Sequence, residues 1–412
     1  MREDRKKLLS NFFSLSALQA LNMLLPLLVL PYLVRVLGVD NFGLINFVVA
    51  IVMYFNILVS FGFELSATRE VSLHQNNLEK LSEIFFSVMI IKIVLALISF
   101  FILTILIFFF DLFSSHALLY YITFGVVVGN LLFPSWFFQG MERMKYITYI
   151  NVVVKIVFTG LMFIIVKTSS DYIYVPLLNS LSAIIAGIYS LWLVFKLFGL
   201  KIMIPTFTVV LQQLIDGYHF FLSRVANNGS RYLATTVIGI YFGNTLVGYY
   251  SMVEKLYYAF MSIAGVVSQT IYPYMSRTKN IIFFKKLFFL IISSSIIILG
   301  FLLFFNNELL YMIFNVQNEM LSNIFIIVFS GSIFGIASTL IGYPVLAAFG
   351  YIKEANNSLI YASIIYIMCI LVGTIFVNNI YYVAFSLVIY SLLGLLFRLY
   401  YILKQKDLIT NE

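Results

Sequence analysis

Long apolar runs alternate with short polar segments along the whole chain. Each run has about 20 residues or more and few charges, which is the length that a helix needs to cross the hydrocarbon core of a bilayer. Pro26 and Pro31 are expected to bend the first of these helices. The pattern predicts about twelve membrane-spanning helices, at residues 11–34, 44–63, 84–110, 118–138, 147–166, 173–195, 216–241, 247–268, 287–305, 324–349, 359–377 and 382–403.

The composition is that of an integral membrane protein. Hydrophobic residues make up 62% and charged residues 10% of the 412 residues, and the mean hydropathy is +1.03. A soluble globular domain carries about 25% charged residues. The single cysteine, Cys369, excludes an intrachain disulfide, and the three histidines have no metal-ligand spacing. We therefore expect neither a metal site nor a cofactor.

The positive charges outside the spans predict the orientation of the chain. With an even number of spans, both termini lie on the same side of the membrane. Nearly all Lys and Arg residues of the connections fall on that side, whereas Arg35 and Lys167 fall on the other. Arg398 is counted with the connections on the side of the termini. The positive-inside rule then predicts cytoplasmic termini, and the net charge of +8 needs no nucleic-acid partner to explain it.

Two basic residues occupy the interior of the seventh span. An arginine at the centre of a lipid-facing helix costs about 2.5–3.5 kcal/mol. On one continuous helix, positions i, i+3, i+4 and i+7 share a face, which predicts a polar stripe. We predict that this stripe lines a water-filled cavity and binds an anion, whereas the alternative is a structural ion pair between the arginines and Glu254. The stripe consists of Arg224, Asn227, Asn228 and Arg231.

The other charges within the spans each allow two interpretations. Lys92 and Lys155 lie about two turns inside their spans, where they could line the cavity or extend to the membrane surface. Lys255 could contact the anion or be neutralised by the adjacent Glu254. If an ion drives transport, Glu254 is the first candidate to bind it, and Na⁺ or H⁺ is the expected ion.

Short matches at a nearly constant offset predict an internal repeat. Residues 38–43, after the first span, match residues 243–248, after the seventh. Each half begins in the cytoplasm, so the repeat is parallel. It predicts two six-helix bundles, residues 1–200 and 201–412, with the substrate site between them.

Two glycine pairs also match between the halves. Gly125 and Gly129 correspond to Gly331 and Gly335. The Gly-x-x-x-Gly spacing is typical of closely packed membrane helices.

Two stretches carry a resemblance to a known family. They are LPYLVRVLGVDNFGLINF, residues 30–47, and the more specific FPSWFFQGMERM, residues 133–144. Both resemble the polysaccharide-exporter family that contains the O-antigen (Wzx-type) flippases, relatives of the MATE exporters in the MOP superfamily. The resemblance implies an all-α membrane fold of two six-helix bundles around a central cavity. Trp136, within the second stretch, is interpreted as an anchor at the membrane interface.

The same resemblance implies a function. Members of the family move undecaprenyl-pyrophosphate-linked oligosaccharides from the inner to the outer leaflet of the bacterial cytoplasmic membrane by alternating access. The implied partners are this lipid-linked substrate, membrane lipids, and the polymerase and chain-length proteins of the same pathway. A pyrophosphate group suits the cationic stripe that was inferred from the residues alone.

The repeat adds two polar residues to the candidate site. Gln19 and Asn22 correspond to Arg224 and Asn227 at the offset of the repeat. They could bind sugar hydroxyls or pyrophosphate oxygens, or form hydrogen bonds between helices.

Two other classes of function fit the sequence less well. A MATE-type antiporter that exports organic cations needs carboxylates in its cavity, whereas the spans here hold mainly basic residues beside Glu254. A membrane glycan polymerase would carry reactive groups in a large outward loop. The longest predicted outward loop, residues 306–321, has only Glu308 and Glu319 as charged residues. We therefore predict a transporter and not an enzyme.

Overall fold

The computed structural model describes residues 2–225 and 229–405, with side chains from residue 25 onward apart from His219 and Ser223. These ranges are nearly all helical and contain no strand, which confirms the predicted all-α fold of a multi-pass membrane protein. The chain divides into two units, Met1–Tyr232 and Leu233–Glu412. The boundary of the predicted six-helix bundles, between residues 200 and 201, stays a prediction.

The first unit is built from long helices joined by short turns. A short 3₁₀ helix, Ser169–Ile173, precedes α8, and α10 (Ser230–Phe242) passes from the first unit into the second. The other helices described in this unit are α1 (Arg2–Ser60), α2 (Phe63–Leu73), α3 (Leu78–Phe109), α4 (Asp111–Ser114), α5 (Ala117–Leu132), α6 (Ser135–Gly140), α7 (Met144–Ile165), α8 (Tyr174–Phe198) and α9 (Phe207–Arg224).

The second unit is also built from long helices joined by short turns, and it contains a π-helical segment. A π-helical segment, Gly342–Ala347, follows α15 and contains Pro344. The helices described in this unit are α11 (Asn244–Thr278), α12 (Ile281–Phe304), α13 (Asn306–Phe314), α14 (Glu319–Ser330), α15 (Ser332–Ile341), α16 (Ile352–Val377) and α17 (Ile380–Lys404).

Nine helical stretches among the described residues are long and apolar enough to cross a membrane. One of them, Leu25–Leu73, covers part of the first predicted span and the whole of the second, because α1 continues through Gly38. The seventh and eighth predicted spans correspond to α9, α10 and α11, which are shorter or more polar and fall outside the nine. The total of twelve is consistent with this pattern and stays a prediction.

Two glycines at equivalent positions of the repeat share an unusual backbone conformation. Gly38 interrupts α1 with φ 78° and ψ 165°, and Gly243 separates α10 from α11 with φ 85° and ψ 174°. This region of conformational space is open essentially to glycine alone. The shared conformation therefore supports the repeat that the sequence predicts.

The matched glycine pairs pack closely, as predicted. A Cβ atom added to Gly125 would lie 2.7 Å from Cβ of Ser180, which reflects the close contact of α5 with α8. A Cβ atom on Gly331 would lie 3.0 Å from Cα of Val388 on α17. The small residues let the helix backbones approach each other.

The Pro-x-Trp-x-x-Gln-Gly motif forms a buried corner. Trp136 is 1% exposed, and its ring centroid lies 5.8 Å from that of Phe85 on α3. The hydroxyl of Thr68 donates to the backbone oxygen of Trp136 at 3.1 Å, and the amide of Gln75 donates to that of Gly140 at 2.7 Å. The interpretation of Trp136 as an interface anchor is wrong, because its indole is packed inside the protein.

Candidate substrate site

Arg224 and Glu64 form an ion pair within the first unit, in which Nη2 of the arginine donates to Oε2 of the carboxylate. Arg224 is the last residue of α9, and Glu64 lies in the first turn of α2. The positive end of the α2 dipole therefore supports the carboxylate, whereas Val225, the residue after Arg224, keeps helical φ and ψ. The arginine side chain is 23% exposed and the glutamate side chain 42%, so the pair is only partly buried.

The sequence analysis missed this partner, because it considered only an anion or Glu254 as the partner of the arginines. The two members of the pair are 160 positions apart in the chain. No local pattern connects residues at that separation, so only the packing of α2 against α9 brings them together.

The predicted polar stripe is not carried by one continuous α-helix. α9 ends at Arg224 and α10 begins at Ser230, and Val225 and Gly229 between them have π-helical geometry. That Arg224 and Arg231 share one face stays a prediction. Asn227 and Asn228 lie outside the described residues. Arg231 is exposed, and its contact with an anion stays a prediction.

Lys92 supports the broken end of α5. Its side chain is 5% exposed, and Nζ donates to the backbone oxygens of Asn130 at 3.0 Å and Leu131 at 3.2 Å. The first of these oxygens lacks a helical donor because Pro134, four residues later, has no N–H. The N–H of Ser135, which would serve the second, donates elsewhere. The predicted extension of Lys92 to the membrane surface is therefore wrong.

Three other predicted ligands belong to the first unit. Lys155 is half-buried on α7. Gln19 and Asn22 stand on α1, and their side chains lie outside the described part of the chain. What these residues bind stays a prediction.

In the second unit, Glu254 and Lys255 are half-buried neighbours on α11. The hydroxyl of Thr235 on α10 lies 3.5 Å from Oε2 of Glu254. Tyr250, one turn earlier on α11, is fully buried. Carboxylate and hydroxyl oxygens suit hard cations, so this surrounding is compatible with a small cation or a proton. The described ranges hold no group of three or more His, Cys, Asp or Glu side chains placed to bind a metal.

Arg398 is a buried cation that sequence reasoning assigned to the wrong environment. It is 3% exposed on α17, and its guanidinium donates to the backbone oxygen of Ser338. It also donates to Oγ of Ser338 at 3.1 Å, Oγ of Ser358 at 3.2 Å and the backbone oxygen of Ala355 at 3.4 Å. Counting it with the exposed connections is wrong, because it joins α15, α16 and α17 inside the second unit.

These cations therefore have two chemical settings. Lys92 and Arg398 direct donors to neutral oxygens inside the protein, where they stabilise helix ends and helix contacts. Arg224 faces a carboxylate in a partly exposed pair. An arriving anion can compete with that carboxylate, because guanidinium binds phosphate and carboxylate oxygens in the same way.

Residues 8–279 match the family described as "Polysaccharide biosynthesis protein". Over 278 residues the chain is 32% identical to the "Putative O-antigen transporter" of Escherichia coli (strain K12), a match that covers 68% of this chain and 67% of that protein. A protein of the same name from Shigella dysenteriae is 26% identical over 269 residues, which cover 65% of this chain and 67% of that protein.

Solved structures resemble the fold over nearly the whole chain. "Lipid II flippase MurJ, inward closed conformation" aligns with a TM-score of 0.72 at 17% identity and covers 98% of this chain and 89% of that one. An inward-facing multidrug resistance MATE transporter of the MOP superfamily aligns with a TM-score of 0.65 at 13% identity and covers 98% and 99%. These similarities confirm the predicted MATE-like fold, and the relatives carry the names of transporters rather than enzymes, as predicted. On the match to residues 8–279 and the identity to the E. coli protein, the chain belongs to the polysaccharide biosynthesis protein family.

Proposed function

We propose that this protein is a flippase that moves a lipid-linked oligosaccharide across the bacterial cytoplasmic membrane by alternating access. The observation that carries the proposal is the relation to two proteins named as O-antigen transporters. The similarity to a solved lipid II flippase supports it, because the same fold serves a lipid-linked substrate there. The proposed carrier lipid is undecaprenyl pyrophosphate, and both termini are placed in the cytoplasm.

The pyrophosphate group is proposed to enter a cationic cavity. A pyrophosphate diester carries about two negative charges, and the forked guanidinium matches two phosphate oxygens. Arg224 and Arg231 are the proposed contacts, with Asn227 and Asn228 as amide donors between them. Away from bulk water the attraction between these charges is stronger than at an exposed surface.

The other candidates have secondary roles in the proposal. Lys155 and Lys255 are further cations for the anionic group, while Gln19 and Asn22 are polar contacts for sugar or phosphate oxygens. Glu254, with the Thr235 hydroxyl near its carboxylate, is the proposed site of the coupling ion, Na⁺ or H⁺. Membrane lipids and the polymerase and chain-length proteins of the pathway are the proposed partners.

Substitution of Arg231 tests the cationic site. Variants are produced in cells that lack their own flippase, and glycan export is measured together with the amount of membrane-inserted protein. Arg231→Ala should abolish export, Arg231→Lys should retain part of it because the charge remains, and Arg231→Glu should be worse than Ala because it repels the anion. Arg277→Ala, a change of an exposed arginine at the end of α11, is the matched control and should export normally.

Wild-type export by both the Ala and the Glu variants, at normal protein levels, would show that Arg231 does not bind the anion. Loss of the protein itself in the Ala variant would instead indicate a structural role for this arginine.

A MATE-type antiporter is the second candidate, because a MATE transporter aligns with a TM-score of 0.65. It predicts efflux of an organic cation such as ethidium that depends on Glu254. Efflux that is lost in Glu254→Gln and unchanged in Arg231→Ala would favour this function over the flippase.

A further inference from the structure

Arg224 is the cation that we consider best placed to bind an anionic group, and Glu64 occupies it. Its two charges come from different helices and meet where those helices end. A buried pair that only stabilises a fold is usually excluded from water, because an unpaired charge inside a protein is costly. Here the side chains are 23% and 42% exposed, so the protein does not fully enclose either of them.

The backbone around the pair is fixed by contacts that do not involve it. Phe61, at the turn between α1 and α2, stacks on Phe221 with ring centroids 4.7 Å apart. A Cβ atom on Gly62 would lie 2.7 Å from Cβ of Phe220 and 2.9 Å from the backbone nitrogen of Phe221. This turn therefore stays packed against α9 when the ion pair opens, and the carboxylate can leave the guanidinium by side-chain rotation alone.

The carboxylate also keeps support when the guanidinium leaves. Glu64 remains in the first turn of α2, where the helix dipole favours an anion. Opening the pair is thus less costly than separating two charges that have no other partner.

We propose that Glu64 is an internal counter-ion that occupies Arg224 in the unloaded transporter and is displaced by the pyrophosphate of the lipid substrate. This inference rests on the proposed function. The dianionic group competes successfully because it carries twice the charge of the carboxylate and offers several oxygens to the guanidinium fork. The displaced carboxylate stays nearby and repels the bound anion, which lowers affinity and speeds release. A transporter needs such weakening, since a site must let its cargo leave as well as enter.

Glu64→Gln removes the competing charge and keeps the size of the side chain. We expect the purified full-length variant in detergent to bind undecaprenyl pyrophosphate about 3- to 5-fold more tightly than wild type, the upper part of the range of a partly exposed ion pair. In cells, the same variant should export glycan more slowly at normal protein abundance. Glu70→Gln makes the same charge change six positions along α2 and is the control, with an expected change below about twofold.

The double variant Glu64→Gln/Arg224→Ala separates the two proposals. If the counter-ion acts through Arg224, the double variant should bind undecaprenyl pyrophosphate with the same Kd as Arg224→Ala alone. Weaker binding by Arg224→Ala, combined with a Glu64→Gln affinity equal to that of the Glu70→Gln control, would overturn the counter-ion and leave the proposed function intact. Unchanged binding by Arg224→Ala would remove this arginine from the proposed site and overturn the inference with it.

A second ligand and a replacement variant complete the test. Inorganic pyrophosphate is measured beside the lipid, and an affinity gain with inorganic pyrophosphate alone would overturn the inference, because the lipid would not be the competing ligand. If Glu64→Gln cannot be purified, Glu64→Ala replaces it, since it also removes the competing charge and leaves Arg224 unchanged. A Glu64→Ala variant without any gain in affinity would then contradict the inference.

Discussion

Lys92 offers the sharpest test of how a charge is held inside the membrane-spanning part of this protein. In Lys92→Met, the side chain keeps its length and loses its ammonium group, so the backbone oxygens of Asn130 and Leu131 lose the donor that lies 3.0 and 3.2 Å away. Each buried oxygen left without a partner costs about 1–3 kcal/mol. The variant no longer has the cost of burying an ammonium group, which offsets part of this destabilisation. We expect a net loss of about 2–4 kcal/mol in the free energy of unfolding.

The loss is measured by thermal unfolding of the purified protein in detergent, beside the abundance of the variant in membranes. Lys80→Met is the matched control. Lys80 lies on the same helix, is 38% exposed and pairs with Glu83 at 2.7 Å, so its removal should cost less than about 1 kcal/mol. Lys92→Arg keeps hydrogen-bond donors for both oxygens and should lose less than Lys92→Met.

Equal melting temperatures for Lys92→Met and Lys80→Met would refute the assignment of Lys92 to the end of α5. If such a stable Lys92→Met protein also lost its affinity for undecaprenyl pyrophosphate, Lys92 would be a substrate ligand. The helix-end role instead predicts lower stability with unchanged affinity for the lipid in the protein that remains folded.

Three other predictions follow from the same geometry. Arg398→Met should lower the stability of the purified protein by about 3 kcal/mol or more, and Arg398→Lys should recover less than half of that loss, because lysine cannot reproduce the forked contacts with α15 and α16. Melting temperatures close to that of the control variant Arg277→Met would contradict this prediction. Gly38→Ala and Gly243→Ala should each lower the stability measured by thermal unfolding by about 1–3 kcal/mol, because of their backbone conformation. Gly160→Ala, with open space around it in α7, should be neutral or stabilising, and equal effects at all three sites would show that the backbone conformation does not set the cost. A reporter fused after residue 412 should read as cytoplasmic and one inserted between residues 316 and 317 as external, and insertion data that place residues 140–146 outside would overturn the orientation.

The predictable parts of the fold are those that depend on local patterns of residues in the sequence. Apolar runs of membrane length predict helices, because a bilayer leaves the backbone few other ways to satisfy its hydrogen bonds. Gly38 and Gly243 could be matched by their place after corresponding spans, and the structure gives them nearly the same φ and ψ. The close packing of α5 and α8 at Gly125 was likewise visible in the Gly-x-x-x-Gly spacing.

The geometry of the site was less predictable because it depends on breaks in helices and on distant contacts. The polar stripe assumed one regular α-helix through Arg224 and Arg231, whereas Val225 and Gly229 have π-helical geometry. Lys92 and the carbonyl that it serves are 38 positions apart. Arg398 did leave a signal, since Ser391 and Gly394 share its helical face and small side chains make room for a large one.

A cation buried in a membrane helix is therefore not by itself a sign of an anionic ligand. Lys92 and Arg398 show that backbone and hydroxyl oxygens at helix breaks can accept the hydrogen bonds of a buried cation, so their burial reports on the fold. Arg224 differs because its partner is a carboxylate and the pair is partly exposed. Such a pair is neutral and tolerates contact with water, so the cation can be kept ready without attracting every anion in the cell. We expect this site to select its cargo by exchanging one anion for a stronger one, which ties affinity to the charge of the competing carboxylate as well as to that of the arginine.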